Sequence, residues 1–178
     1  MSSLVDDLLF LARADHPDNR IENLPNQVSL DPLPLLEEVY ERAQLLASGQ
    51  ILRLEWPHRP IVPLLADREM IRRALNNLIE NALHYTPAGR EIRLRVEADE
   101  QTCRWIVQDQ GDGMEPEQLA HMFERFYRGD QARGRRGAGA GLGLPIAIAI
   151  AQARGGTIHA ASKPGEGTVV TLELPSSG

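Results

Sequence analysis

Disulfides are the first thing this 178-residue sequence does without, because Cys103 is its only cysteine and no internal crosslink can form. A lone cysteine among strand-forming residues reads as a small buried hydrophobe and fits a reducing compartment. Lysine is nearly missing as well: Lys163 is the single example, so arginine carries almost all of the positive charge. Bases are outnumbered by acids, giving a net charge of -6 and a pI near 5.4. That balance argues against a general nucleic-acid surface, and no nucleic acid is expected as a partner. There is no basic N-terminal region followed by a cleavable apolar segment. The longest strongly apolar stretch, Leu142 to Ala151, is interrupted by Pro145 and has about half the length needed to span a bilayer. Direct membrane insertion is therefore not expected. The polypeptide reads as cytoplasmic, although a membrane anchor in a longer parent protein is compatible with it. No internal repeat or heptad run is present.

What is present suits one compact α/β domain with a short appendage, the chain being 42% hydrophobic. Leu4, Val5, Leu8, Leu9 and Leu11 form an apolar stripe at helical spacing that ends before His16-Pro17. Residues 15–27 are polar and carry Pro17 and Pro25, as a linker would. Asp31 is placed to cap a helix with Pro32 in its first turn, running to about Ser48. Ile51 to Trp56 alternates as a strand. Asp67 then starts a second long helix, with Ile71, Ala74, Leu75, Leu78 and Ala82 on one side and Asn77, Asn81 and His84 along another edge. Strands are expected around Ile92 to Val96 and Arg104 to Asp109, with a turn near Asp99 between them. Leu142 to Ala153 reads as a buried helix, followed by two closing strands, Thr157 to Ser162 and Thr168 to Leu174.

Four dispersed segments carry the chemistry: Asn77-Leu78-Ile79-Glu80-Asn81, Asp109-Gln110-Gly111-Asp112-Gly113, Gly137 to Leu144, and Gly165-Glu166-Gly167-Thr168. Magnesium prefers oxygen ligands in an octahedral arrangement, and the Asn81 amide carbonyl can supply one beside phosphates and water. Asn77, one turn earlier, offers a second polar contact; the bland alternative is a pair of asparagines tying off backbone groups. Asp109 ends a strand where Gly111-x-Gly113 begins. Its carboxylate can accept from an adenine amino group while glycines allow close approach, unless the segment is an ordinary Asp-Gly turn. Gly137, Gly139, Gly141 and Gly143 can wrap phosphate with backbone N–H groups ahead of a helix N-terminus, or can be a glycine-rich surface loop. The stretch lacks the lysine of a P-loop, and no early strand is followed by G-x-G-x-x-G, so neither a Walker site nor a dinucleotide fold is supported. Arg125, Arg128, Arg133, Arg135 and Arg136 stand against Glu124 and Asp130, which suits a positive lid over a triphosphate or a solvated basic loop. Phe123 and Phe126 are expected to anchor the base of that lid by packing.

Together these segments resemble the catalytic, ATP-binding domain of bacterial sensor histidine kinases, within the wider GHKL or Bergerat fold. Asn77 to Ala82 looks like the N box, Asp109-x-Gly111-x-Gly113 like G1, Phe123-Glu-Arg-Phe126 like the F box, and Gly139 to Leu144 like G2. Gly165-x-Gly167-Thr168 matches the last glycine element, and the resemblance covers roughly residues 28–175. It implies a two-layer α/β sandwich, a mixed, mainly antiparallel sheet backed by three main helices, with a flexible lid. It also implies that residues 1–15 are a remnant of the dimerisation domain's second helix, 16–27 a linker and 28–178 the catalytic domain. The cofactors implied are ATP and Mg2+. Nucleotide contacts then fall on Asn77, Asn81, His84, Tyr85, Asp109, Gly111, Gly113, Arg128, Gly139, Gly141, Leu142, Gly143, Leu144 and Thr168. Asn81 would bind the metal, Asn77 and Asn81 would be the catalytic pair, and Tyr85 would line the pocket.

Two departures qualify the resemblance. His84 stands where the family often has lysine or arginine near the phosphates, so any contact there is weaker and pH-dependent. The phosphoacceptor His-Glu/Asp segment is absent, and His16, His58, His121 and His159 lack its context. Relatives that hydrolyse ATP with water generally place a glutamate where this chain has Asn77. The implied activity is thus transfer of the γ-phosphoryl group to a histidine on a separate dimerisation domain, with a response regulator downstream. In isolation the chain is expected to be a monomer. The alternatives are a partner-switching serine kinase and a non-catalytic, nucleotide-gated interaction module.

Overall fold

The structure is a computed structural model that describes residues 4–14, 27–57, 61, 63–127 and 140–176. Two aspartates set the long helices. Asp31 receives the N–H of Leu33 at 3.1 Å and opens α2 (Pro32–Leu46). The Asp67 carboxylate receives the N–H groups of Glu69 and Met70 and opens α3 (Arg68–Tyr85). α2 stops two residues short of the expected Ser48, and Gly49 follows with a left-handed backbone, φ +95°. The third long helix, α5 (Gly143–Ala153), starts at the end of the glycine-rich stretch, with Pro145 in its first turn. A short helix, α4 (Pro116–His121), is held by a capping box between Glu115 and Gln118.

Five strands form one sheet in the order β2 (Ile51–Glu55), β4 (Glu91–Ala98), β5 (Thr102–Asp109), β7 (Gly167–Pro175) and β6 (Thr157–Lys163). β2 runs parallel to β4 because α3 crosses over between them, and every other pairing is antiparallel. The sheet is thus mixed and mainly antiparallel. Its inner face alternates strictly: Ile92, Leu94 and Val96 on β4, Cys103, Trp105 and Val107 on β5, Val170, Leu172 and Leu174 on β7. These residues meet Leu35, Leu36 and Val39 of α2, Ile71, Leu75 and Leu78 of α3, and Ile146 and Ile150 of α5 in one core. The outer face carries cross-strand ion pairs, Arg53–Glu91 at 3.0 Å and Arg104–Glu173 at 2.6 Å among them.

A second, two-stranded sheet pairs β1 (Val28–Leu30) with β3 (Leu64–Ala66), which the sequence reading does not anticipate. The N-terminal stripe is helix α1 (Leu4–Ala14). Its Leu11 is 1% exposed within the same core, while Leu4, Val5, Leu8 and Leu9 face outward. Arg73 of α3 holds this helix twice, pairing with Asp7 at 2.6 Å and lying 4.6 Å over the Phe10 ring. No helix among the described residues is long and apolar enough to cross a membrane.

Candidate functional site

Strand parity explains why a carboxylate ends up inside. Asp109 follows Cys103, Trp105 and Val107 at steps of two, so it points to the core face at the point where β5 ends. Its partners across the sheet are Ile92 on β4 and Thr168 on β7. Asp109 is 5% exposed, and its Oδ1 accepts the backbone N–H of Gly111 at 2.8 Å and that of Thr168 at 3.2 Å. Burial pushes the carboxyl above its ordinary pKa, and the two N–H donors oppose that shift without cancelling it. A buried acid with one oxygen tied to the backbone and no arginine or lysine partner among the described residues is suited to accept from a neutral donor.

The turn after Asp109 is built to lie against other chain segments. Gly113 has φ +69°, and a Cβ there would stand 1.9 Å from the carbonyl oxygen of Lys163. Gly165 donates to the Asp112 carbonyl at 2.7 Å and Met114 N–H to the Ser162 hydroxyl at 2.9 Å, so the turn rests on the β6–β7 hairpin. Gly111 faces the end of α3, where a Cβ would meet the Tyr85 carbonyl at 2.7 Å. The Tyr85 ring packs edge-on to His84 with centroids 4.8 Å apart.

Along α3, Asn77 and Asn81 are half-buried on the edge away from the apolar side. A Cβ on Gly143 would lie 3.4 Å from Asn77 Oδ1, so the N-terminus of α5 abuts this asparagine. The Asn77 Nδ2 is buried and has no hydrogen-bond partner among the described residues. Leu142, immediately before α5, is buried, and Leu144 is partly buried against the core. The structure therefore gathers the Asn77 helix edge to Gly143, the Tyr85 end to Gly111, and Asp109 to Thr168.

Arg128, Gly137 and Gly139 lie outside the described residues, as do Arg133, Arg135 and Arg136. The neck of that segment is described. Phe126 adopts φ 61° and donates its N–H to the Gly141 carbonyl at 3.0 Å. Only one of the two phenylalanines packs as expected: Phe123 lies partly buried against the core, but Phe126 is 59% exposed. Its anchorage comes from the backbone, because the left-handed conformation turns the side chain outward.

Two residues of this region escape a reading by motif. The Ser162 hydroxyl touches Thr168, Gly167 and Met114. Gln50 donates from Nε2 to the carbonyls of Leu83 and Thr86, closing the end of α3. Strand parity gives a signal for Ser162, which shares the inner face with Ile158. Nothing local marks Gln50.

Comparison with known proteins agrees with this arrangement. Residues 66–178 match the family described as histidine kinase-, DNA gyrase B-, and HSP90-like ATPase. The phosphate regulon sensor protein PhoR of Pseudomonas aeruginosa is 40% identical over 133 residues, covering 75% of this chain and 29% of that protein. The sensor histidine kinase CusS of Escherichia coli is 35% identical over 180 residues, 99% of this chain and 35% of that one. Among solved structures, full-length ShkA in complex with AMPPNP superposes with a TM-score of 0.74 at 27% identity, over 98% of this chain and 37% of that one. The chain thus spans about a third of the length of the curated relatives it matches.

Proposed function

The chain belongs to the histidine kinase-, DNA gyrase B-, and HSP90-like ATPase family as a domain of the histidine-kinase catalytic type, and from that premise we propose that it binds Mg-ATP and delivers the γ-phosphoryl group to a histidine on a separate dimerisation domain. The observation that carries the nucleotide reading is Asp109, a buried carboxylate held open at the junction of three chain segments. In this reading it accepts from the adenine amino group, with Gly111, Gly113 and Thr168 shaping the floor and Tyr85 lining the side.

The residues present fit Mg-ATP on grounds of donor chemistry. The Asn77 amide nitrogen is a buried donor with no acceptor among the described residues, and Gly111, Gly113 and Gly167 let the turns pack against the backbone of Tyr85, Lys163 and Asp109, where a Cβ would clash. No group of three His, Cys, Asp or Glu side chains is gathered among the described residues. A magnesium ion, which favours oxygen ligands, would take Asn81's amide oxygen together with phosphates and water. Bound ATP would supply the transferable phosphoryl group, and the ion would neutralise charge on it. His84, Gly141, Leu142, Gly143 and Leu144 belong to the phosphate end in this proposal, together with Gly139 and Arg128.

Asn77 also bears on the acceptor. An amide does not take a proton from water as a carboxylate would, which supports transfer to a protein side chain over hydrolysis. The acceptor imidazole then comes from a dimerisation domain, and a response regulator receives the group afterwards. On the same proposal residues 1–15 are the end of that domain's second helix, 16–27 a linker and 28–178 the catalytic domain. Place of action is the cytoplasm, whether or not a longer parent is membrane-anchored.

Calorimetry with ATP and ADP, with and without magnesium, followed by transfer of labelled γ-phosphate to a histidine-bearing dimerisation domain, tests the proposal. Magnesium-strengthened ATP binding and acid-labile label on histidine are expected. Acid-stable label on a partner's serine would replace this reading with a partner-switching kinase. Tight binding with no transfer to any domain would leave a nucleotide-gated interaction module.

A further inference from the structure

The core-facing side of the sheet ends in a polar row. Asp109 on β5 pairs with Thr168 on β7, and Thr168 pairs with Ser162 on β6. Three contacts converge on the Ser162 hydroxyl: the Met114 N–H at 2.9 Å, the Gly167 carbonyl at 2.8 Å and the Thr168 hydroxyl at 2.9 Å. A hydroxyl has one hydrogen and two lone pairs, which fixes the roles. Met114 donates and takes one lone pair of Ser162. The Gly167 carbonyl accepts and takes the Ser162 hydrogen. The contact to Thr168 is then donated by Thr168, into the second lone pair.

This arrangement satisfies all three contacts and commits the Thr168 hydrogen to Ser162. Thr168 keeps acceptor capacity alone, directly beside the Asp109 carboxylate, which is itself an acceptor. Resting on the nucleotide-binding reading above, we infer that Ser162 is a positioning residue that sets base specificity by locking the Thr168 hydroxyl as an acceptor. An acceptor pair complements an exocyclic amino group and opposes a carbonyl in its place, so the site takes a 6-aminopurine nucleotide and rejects the 6-oxo analogue. Met114 adds a second consequence: the same hydroxyl pins the turn that follows Gly113, so base selection and turn position share one atom.

The test is the ratio of affinities for ATP and inosine triphosphate, measured calorimetrically with magnesium on wild type, Ser162→Ala and Ser162→Thr. Wild type favours ATP. In Ser162→Ala the Thr168 hydroxyl is free to rotate and donate to a 6-oxo group, and the ratio narrows by about five- to tenfold. Ser162→Thr keeps the hydroxyl and restores the ratio. A clamp with no role in selection would weaken both nucleotides equally, and an unchanged ratio overturns the inference. Should Ser162→Ala not fold, Thr168→Val removes the same locked acceptor and must narrow the ratio in the same direction; failure to do so is equally decisive. Wild type that is folded by circular dichroism yet binds neither nucleotide strikes down the nucleotide reading itself, a result distinct from an unchanged ratio.

Discussion

The Asp109 carboxylate accepts the backbone N–H of Thr168 across 59 residues of chain, at 3.2 Å, and does so while 5% exposed. A pH signature follows. Burial raises the Asp109 pKa in the folded state above its unfolded value near 3.9. Its favourable contribution is complete below the unfolded value and is lost as pH rises through the folded one, so the ionised group burdens the empty domain at neutral pH. Asp109→Asn should melt higher than wild type at pH 7, with the gain shrinking as pH falls through the raised folded value and gone below about 4. The same variant should lose about tenfold or more in ATP affinity, the expected effect of removing a charge-assisted hydrogen bond. A lower melting temperature at pH 7 would contradict this account of burial.

Two glycines with similar backbones separate strain from contact. Gly89 has φ +78° with open space around it, whereas Gly113 has φ +69° and faces the Lys163 carbonyl. Gly89→Ala should cost about 1 kcal/mol, the usual strain of a left-handed alanine. Gly113→Ala carries that strain and also displaces the turn from the β6–β7 hairpin, so nucleotide binding should collapse along with stability. Comparable urea midpoints for the two variants would show that the turn yields without consequence.

Asn81 and Asn77 are expected to fail differently. Asn81→Ala should remove the magnesium enhancement of ATP binding while changing stability by no more than about 0.5 kcal/mol. Asn77→Ala deletes a buried amide that lacks a partner among the described residues, so the empty domain should lose little stability while phosphoryl transfer falls. Magnesium dependence that survives Asn81→Ala in calorimetry would remove Asn81 as the metal ligand.

Gln50 supports the site from a distance, since its side chain meets the carbonyls of Leu83 and Thr86 at 3.0 and 2.9 Å. Gln50→Ala leaves those acceptors short of a donor and should cost about 1–3 kcal/mol. Melting should fall by about 2–4 °C for each kcal/mol. Hydrogen exchange should speed up at the Thr86 amide before it does in β5.

Much of this architecture was legible from residue order. Asp31 and Asp67 announced their helices because an aspartate ahead of an apolar stripe satisfies orphan N–H groups, and both caps form. The alternation in β4 and β5 announced the inner face. The β1–β3 ribbon escaped because three residues per strand are too few to show a period. Within the site, Asp109 and the glycine turns were visible as motifs. Ser162 and Gln50 were not, since each acts through partners that only the folded chain brings within reach. Phe126 illustrates the opposite error: its aromatic character suggested burial, and the backbone, with φ 61°, decided otherwise.

Cys103 lies at 0% exposure on β5, and burial pushes its thiol up to about 12. At neutral pH it is neither ionised nor reachable, so it stays silent toward maleimides and iodoacetamides. Nature has thus left a ready background for site-directed labelling. A cysteine introduced on the surface, at Glu100 for instance, would take one probe per molecule with the native sequence otherwise intact.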